Sequence, residues 1–366
     1  MVELPIFNSR ALAKSHAVYN LLDPVDRQKY FHEKLGSQID ELKAYLDKGG
    51  GFIGYMLAKK QAGKSLYSKM IEEIIGPERF AHISIGDIVR DAHAEIETTE
   101  GEKALRAHLQ KNYRGYLSID DALEALKNRS QNKVSVPTEF LLVLLKRKIS
   151  EIGHKALFID GLPRTLDQIS YSLYFRDLIN FSSDPDFFVV IDVPMAIIDA
   201  RMKQRVVCPL CQTSRNMLFS PTTFVRLDET TSEYYMLCDN TFCKGYGKAR
   251  YVSKEGDAAG VESIAERLQQ DQALIDKALS LQGIDKVVLR SGVPLSEAHV
   301  KLDDYEVQPM ISYQGGKASE GSEVKLVVSD WVFKDDAGVD VCTMYGAAGA
   351  VAIFSQIYDV VIGKKS

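Results

Sequence analysis

The chain has 366 residues, of which 26% are charged and 45% hydrophobic, and carries a formal net charge of −5. That length suits two or three folding units with a well-buried core, and the composition is that of ordinary water-soluble globular proteins. The negative balance excludes a general electrostatic pull toward nucleic acid or anionic membranes, so any anion site must be local.

The first residues, 1–7, hold an acidic residue and a proline but no basic-then-apolar signal pattern. The longest late apolar run, 347–354, is too short for a bilayer, which needs about 20 residues. The expectation is a cytoplasmic protein, monomeric, with no membrane and no nucleic acid among its partners. Its five cysteines are expected reduced or metal-bound, as suits a non-secreted chain.

Residues 1–48 read as a helical N-terminal extension, either a packing appendage or a partner-binding one. Asp23-Pro24 has the cap-then-proline form of a helix start, and Gly36 is its stop. Ser37 and Asp40 then fit a capping box, with Ile39, Leu42, Tyr45 and Leu46 on one helical stripe and Gly49-Gly50-Gly51 closing it.

From residue 52 onward, apolar runs of strand length recur at 52–57, 80–85, 156–159, 187–193 and 286–289, each followed by a helical pattern. Such alternation predicts an α/β fold, a parallel sheet flanked by helices, with ligands gathering at the carboxyl ends of the strands. The first run leads into Ala58-Lys59-Lys60-Gln61-Ala62-Gly63-Lys64-Ser65 and then a helical stretch. A strand, a tight loop and a helix start aim several backbone N–H groups and the positive end of a helix dipole at one point, where a phosphate can sit. Lys64 adds a mobile charge for outer phosphates and Ser65 a hydroxyl for Mg²⁺, although Ala58 replaces the first glycine of the usual phosphate-loop pattern.

Polar clusters appear where later strands end: Ser84-Ile85-Gly86-Asp87, Asp160-Gly161-Leu162-Pro163-Arg164, and Asp192. Arg164 follows a turn fixed by Gly and Pro and a carboxylate at the strand end, a setting for bidentate phosphate binding. Arg201 and Arg205, four apart, are expected on one face of a helix. Cys208, Cys211, Cys238 and Cys243 form two close pairs separated by a strand-like tract, which suits structural tetrahedral Zn²⁺ in a small β lobe.

After about residue 300 the character changes. Residues 305–313 and 324–333 read as strands around the loop 315–321, Asp335-Asp336-Ala337-Gly338 as a solvated turn, and 347–361 as a closing helix. This C-terminal α+β extension carries no assignable chemistry, and Cys342 reads as a buried apolar residue.

The order and spacing of these motifs resemble the adenylate kinase family of nucleoside monophosphate kinases, in the long form whose lid carries a four-cysteine zinc site. The resemblance covers about residues 49–304, with a helical acceptor-binding lobe at 84–139 and the zinc-stapled β lid at 206–258, leaving 305–366 as the C-terminal extension. It implies a P-loop kinase core with a five-stranded parallel sheet, ATP and Mg²⁺, and small-molecule nucleotides as partners. It implies that Lys64 grips the donor phosphates, with the backbone of Gln61, Ala62, Gly63, Ser65 and Leu66 around them, and that Arg201 and Arg205 clamp the triphosphate beneath the lid. Arg90 and Arg164 would hold the acceptor phosphate, with Ser84, Ile85, Val136 and Gly161 beside the acceptor and Arg267 bridging the two phosphate chains. Asp160, and Asp87 with it, would hold Mg²⁺ through water. Gln168, in place to read an adenine edge, favours AMP; Ile85, where the family commonly has threonine, leaves UMP, CMP or GMP open.

The chain also departs from the family. Lys59, Lys60 and Gln61 crowd a loop that is usually glycine-rich, Leu66 replaces a threonine, and the arginine and aspartates that follow the lid have only loose candidates in Lys248-Ala249-Arg250 and Lys254-Glu255-Gly256-Asp257. The rival expectations are a degenerate kinase fold that binds nucleotide and acts as an interaction module, and a zinc-ribbon nucleic-acid binder.

Overall fold

The structure, a computed structural model, describes residues 4–128, 136–254, 256–316 and 323–363. At the centre is a parallel sheet of β1 (Ile53–Ala58), β2 (Phe80–Ser84), β3 (Ala156–Asp160), β4 (Asp186–Asp192) and β10 (Asp285–Arg290), in the order β10-β4-β1-β3-β2. All five expected strands are present. β1 is buried along its whole length, as a strand covered on both faces must be. Its side chains divide by the period of two: Met56 and Ala58 join the apolar cluster on one face, and Ile53, Tyr55 and Leu57 the cluster on the other. The parallel register sets Met56 and Ser84 opposite Asp160, Ala58 opposite Ile191, and Asp192 opposite Arg290. The carboxyl ends of the strands therefore form one edge.

Between the strands run α3 (Lys64–Ile75), α4 (Ile85–Glu95), α5 (Thr99–Asn112), α6 (Ile119–Lys127), α7 (Thr138–Ile152), α8 (Gln168–Leu178), α9 (Met195–Lys203) and α10 (Ala265–Ser280). The four helices from α4 to α7 lie in chain order between β2 and β3. A second small unit follows α9. It consists of a sheet of β5 (Arg205–Val207), β6 (Ser214–Asn216) and β9 (Val252–Ser253), with a hairpin of β7 (Val225–Asp228) and β8 (Glu233–Met236).

Near the N-terminus, α1 (Pro24–Leu35) begins where the sequence places it, with the Asp23 carboxylate accepting from the Asp26 N–H at 2.9 Å. The capping box at Ser37 is a correction. Gly36, at φ 43°, carries the chain directly from α1 into α2 (Ser37–Asp47), so Ser37 is already helical and no side chain caps that end.

The C-terminal segment contains more strand than expected. Besides β12 (Met310–Gln314), β13 (Lys325–Ser329) and β14 (Phe333–Lys334), it has β15 (Asp340–Thr343), which pairs with β11 (Gly292–Pro294) just beyond β10; a short helix, α11 (Leu295–Lys301), follows β11. The expected strand at 305–313 starts late because a single 3₁₀ turn, Asp304–Glu306, comes first. Most of the expected loop at 315–321, and Glu255, lie outside the described residues. The closing helix, α12 (Gly346–Val361), packs against α3, β10, α1 and α2, and shares one apolar cluster with them. A Cβ on Gly349 would come within 2.6 Å of the Tyr67 ring, so glycine here permits the close approach of α12 to α3. Among the described residues, no helix is long and apolar enough to cross a membrane.

Candidate active site

The loop between β1 and α3 opens into a cleft of about 350 Å³ at the carboxyl edge of the sheet. Gln61, Ala62 and Gly63 line it together with Lys64, Ser65 and Leu66 of the first turn of α3. Gly63, at φ 99°, turns the chain into that helix. The Lys64 ammonium reaches back to the Ala58 carbonyl at 3.1 Å and lies 3.7 Å from Asp160.

The facing wall comes from other strand ends. Ser84 ends β2, where its hydroxyl caps α4. Asp160 ends β3, followed by Gly161 and Arg164. Gly161 adopts φ 91°, and a Cβ there would lie 3.3 Å from Ile85, so both the turn and the packing call for glycine. From the far side α10 adds Arg267 and Asp271. Lys60, Lys64, Arg164 and Arg267 thus share one cleft of a chain whose net charge is negative. For two of them the surroundings disfavour the charge: lost hydration, then Arg267, pushes the pKa of Lys60 and of Arg164 down. Such a site gains most by accepting a polyanion.

The remaining expected residues lie outside this cleft. Arg201 and Arg205 do not share a helix: α9 stops at Lys203, and Arg205 is the first residue of β5. They nonetheless converge on one residue. Arg201 donates to the Gln61 carbonyl at 3.3 Å, and the Gln61 side-chain oxygen, in the amide orientation that satisfies it, accepts from Arg205 Nη2 at 3.0 Å. Burial pushes the Arg201 pKa down. Asp87 and Arg90 pair with each other on an exposed turn of α4. Ile85 and Val136 are buried. Gln168 is buried too, its oxygen accepting from the Arg164 N–H at 2.8 Å and its nitrogen donating to Thr138 at 3.0 Å. Here it fixes the Arg164 turn, with both ends of its amide engaged inside the protein.

Two carboxylates, Asp271 and Asp336, escape the sequence, and a third, Asp257, is there only a loose candidate. Asp271 accepts from the Lys60 N–H at 3.0 Å; it sits four residues after Arg267 on α10, a spacing that does mark a shared face. Asp257 holds Arg205 at 2.5 Å, in the tract where no spacing singles it out. Asp336 holds Lys59 at 3.4 Å across 277 residues of sequence, and nothing local announces it. The turn at Asp335-Asp336 is accordingly not merely solvated: Asp335 also pairs with Arg290 at 3.6 Å.

In the small β unit, Cys208, Cys211, Cys238 and Cys243 bring their sulfurs within 4.8 Å of one another. The separations are 3.9 Å for Cys208–Cys243 and 3.7 Å for Cys211–Cys238. Tetrahedral Zn²⁺ with bonds of about 2.3 Å requires sulfurs about 3.8 Å apart, so the four thiols fit such an ion.

No family model matches the chain. Curated relatives do. The adenylate kinase of Thermotoga petrophila is 29% identical over 220 residues, covering 59% of this chain and 80% of that protein. The adenylate kinase of Ruminiclostridium cellulolyticum is 30% identical over 168 residues, 46% of this chain and 65% of its own length. That of Clostridium novyi is 32% identical over 167 residues, 45% and 64% respectively.

Proposed function

As a homologue of the adenylate kinases, the chain is, we propose, a nucleoside monophosphate kinase that transfers the γ-phosphoryl group of ATP in line to its acceptor, with AMP the first choice. The observation that carries this is the convergence of Lys64, Arg164 and Arg267 on one cleft at the strand ends, beside Asp160. Two polyanions must approach each other there, and fixed cations lower the cost without a covalent intermediate. Lys64 would leave the Ala58 carbonyl for the donor phosphates, Arg164 would hold the acceptor phosphate, and Arg267 would lie between the two.

Arg201 and Arg205 are held at Gln61 behind the loop. On this proposal they turn onto the triphosphate when the lid closes and water is excluded. Asp160 and Ser65, hard oxygen donors on the same cleft, would hold Mg²⁺, directly or through water. The ion would neutralise charge on the donor phosphates. Asp87, tied to Arg90 outside the cleft, would join only after release. Gln168 would likewise have to give up Thr138 to read an adenine edge, which keeps UMP, CMP and GMP as alternatives. Cys208, Cys211, Cys238 and Cys243 would hold a structural Zn²⁺.

A coupled assay of ADP release over AMP, GMP, CMP and UMP tests the proposal. Turnover with at least one of them is expected, and none at high enzyme concentration overturns it. The rival, a nucleotide-binding module without catalysis, draws on the hold of Gln61 over both arginines. It predicts ATP binding by calorimetry with no phosphoryl transfer.

A further inference from the structure

Lys59 is the second residue of the phosphate loop, yet its side chain turns away from the cleft and is only 7% exposed. Its ammonium lies 3.4 Å from Asp336 Oδ2, on the turn between β14 and β15. The other oxygen of that carboxylate, Oδ1, accepts the N–H of Met195 at 2.8 Å. Met195 opens α9, the helix that carries Arg201, and Arg201 in turn donates to Gln61, two residues along the loop from Lys59. A ring closes: loop, Lys59, Asp336, α9, Arg201, loop.

The turn that supplies Asp336 is itself fixed. Asp335 Oδ1 accepts from the N–H groups of Ala337 and Val339, each at 2.9 Å, and its other oxygen faces Arg290 at the end of β10. β15 pairs with β11, which follows β10 directly. Asp336 is thus anchored to the strand edge from which the cleft is built. Lys59 also faces Asp192 at the end of β4, a carboxyl whose pKa burial pushes up and the lysine charge draws back. Within the loop, the Lys59 carbonyl accepts the Ala62 N–H at 3.2 Å, so fixing Lys59 fixes the turn that presents Ala62 and Gly63 to the cleft.

We propose that Asp336 is a positioning residue of the donor site, contributed by the C-terminal segment: it holds the phosphate loop through Lys59 and the arginine-bearing helix α9 through its first N–H. This rests on the cleft being the ATP site. It gives the lysine in a normally small-residue position a partner and the C-terminal segment a task.

The experiment uses the full chain and three variants, Asp336→Ala, Asp336→Asn and the pair Lys59→Met with Asp336→Asn. ATP affinity is read by calorimetry, Michaelis constants by varying ATP and acceptor separately, and the loop 58–66 by amide hydrogen exchange. Asp336→Ala is expected to weaken ATP binding about tenfold, the size of one lost charge-assisted hydrogen bond, and to leave the acceptor KM within twofold. Asn keeps an acceptor for Met195 and removes the charge, so Asp336→Asn should fall between, and adding Lys59→Met should recover affinity by removing the unpaired ammonium. A folded Asp336→Ala protein with ATP affinity within twofold of the parent overturns the proposal; if that variant does not fold, the Asn variant alone and with Lys59→Met decides by the same criterion. Should the parent bind no ATP, the donor-site assignment fails separately. Loop exchange then decides the brace: faster in the variants supports it, unchanged overturns it.

Discussion

Lys64 and Gln61 carry the loop in opposite ways. The Lys64 side chain is 18% exposed and, among the described residues, holds the Ala58 carbonyl and Asp160. Its folding contribution is small and its charge is free to move to a phosphate. Lys64→Met should therefore lower kcat by about a hundredfold or more while shifting Tm by only a few degrees. Retained activity would place the donor phosphates elsewhere. Gln61 stands at φ 68°, a left-handed conformation that costs a side-chain-bearing residue about 1 kcal/mol. The loop holds this conformation while Arg201 and Arg205 bind Gln61. Gln61→Gly removes the strain and the Arg205 contact but keeps the carbonyl that meets Arg201. Tm should stay within a few degrees, and ATP binding should strengthen because Arg205 is no longer held by Gln61. Weaker binding in calorimetry would mean that the Gln61 side chain is part of the phosphate cradle.

The β unit carrying the cysteines does not stand alone. Its small core of Cys208, Val225, Met236 and Tyr251 continues into Tyr313 and Val324 of the β12–β13 hairpin. Ile311 donates its N–H to the Leu218 carbonyl at 2.9 Å, Tyr234 donates to Gly315 at 3.1 Å, and the Phe219 and Trp331 rings lie 4.5 Å apart. A core this small needs a staple, and the four thiols fit one. One equivalent of zinc is expected by metal analysis, lost in Cys211→Ala. Chelation should then speed amide exchange in β5 to β9 and also in β12 and β13, while the parallel sheet keeps its protection. Protection unchanged in both units would refute the staple. The cysteine pairs were legible because ligand spacing along the chain is itself the signal. The hairpin's attachment was not, since contacts between segments about 90 residues apart leave no local pattern.

The same division runs through the whole molecule. The central strands were legible because strands covered on both faces must be continuous apolar runs, and the cleft because its polar residues come as the strands end. Helix α12 was legible as a helix; its place between α1, α2 and the sheet was not. Nor was the polar knot that joins the N-terminal segment to residues 303–306. Glu306, fully buried, accepts from Ser9 at 2.6 Å and Tyr30 at 2.5 Å, and its carboxylate lies 3.1 Å from the Lys34 ammonium. Lys34, with no exposed side-chain surface, also meets Asp303 at 2.7 Å and the Ser9 carbonyl at 2.9 Å. Such a pair gains little over an apolar replacement, but removing Glu306 leaves the buried Lys34 ammonium with Asp303 as its remaining carboxylate and takes the acceptor from the Ser9 and Tyr30 hydroxyls, and breaking a buried pair costs about 3–5 kcal/mol. Glu306→Ala should therefore lower the unfolding free energy by about 3 kcal/mol in denaturant titration, although it lies outside the candidate active site. Lys34→Met with Glu306→Gln removes both charges and should cost clearly less than the sum of the two single changes. Additive losses would mean that the Lys34–Glu306 pair is uncoupled.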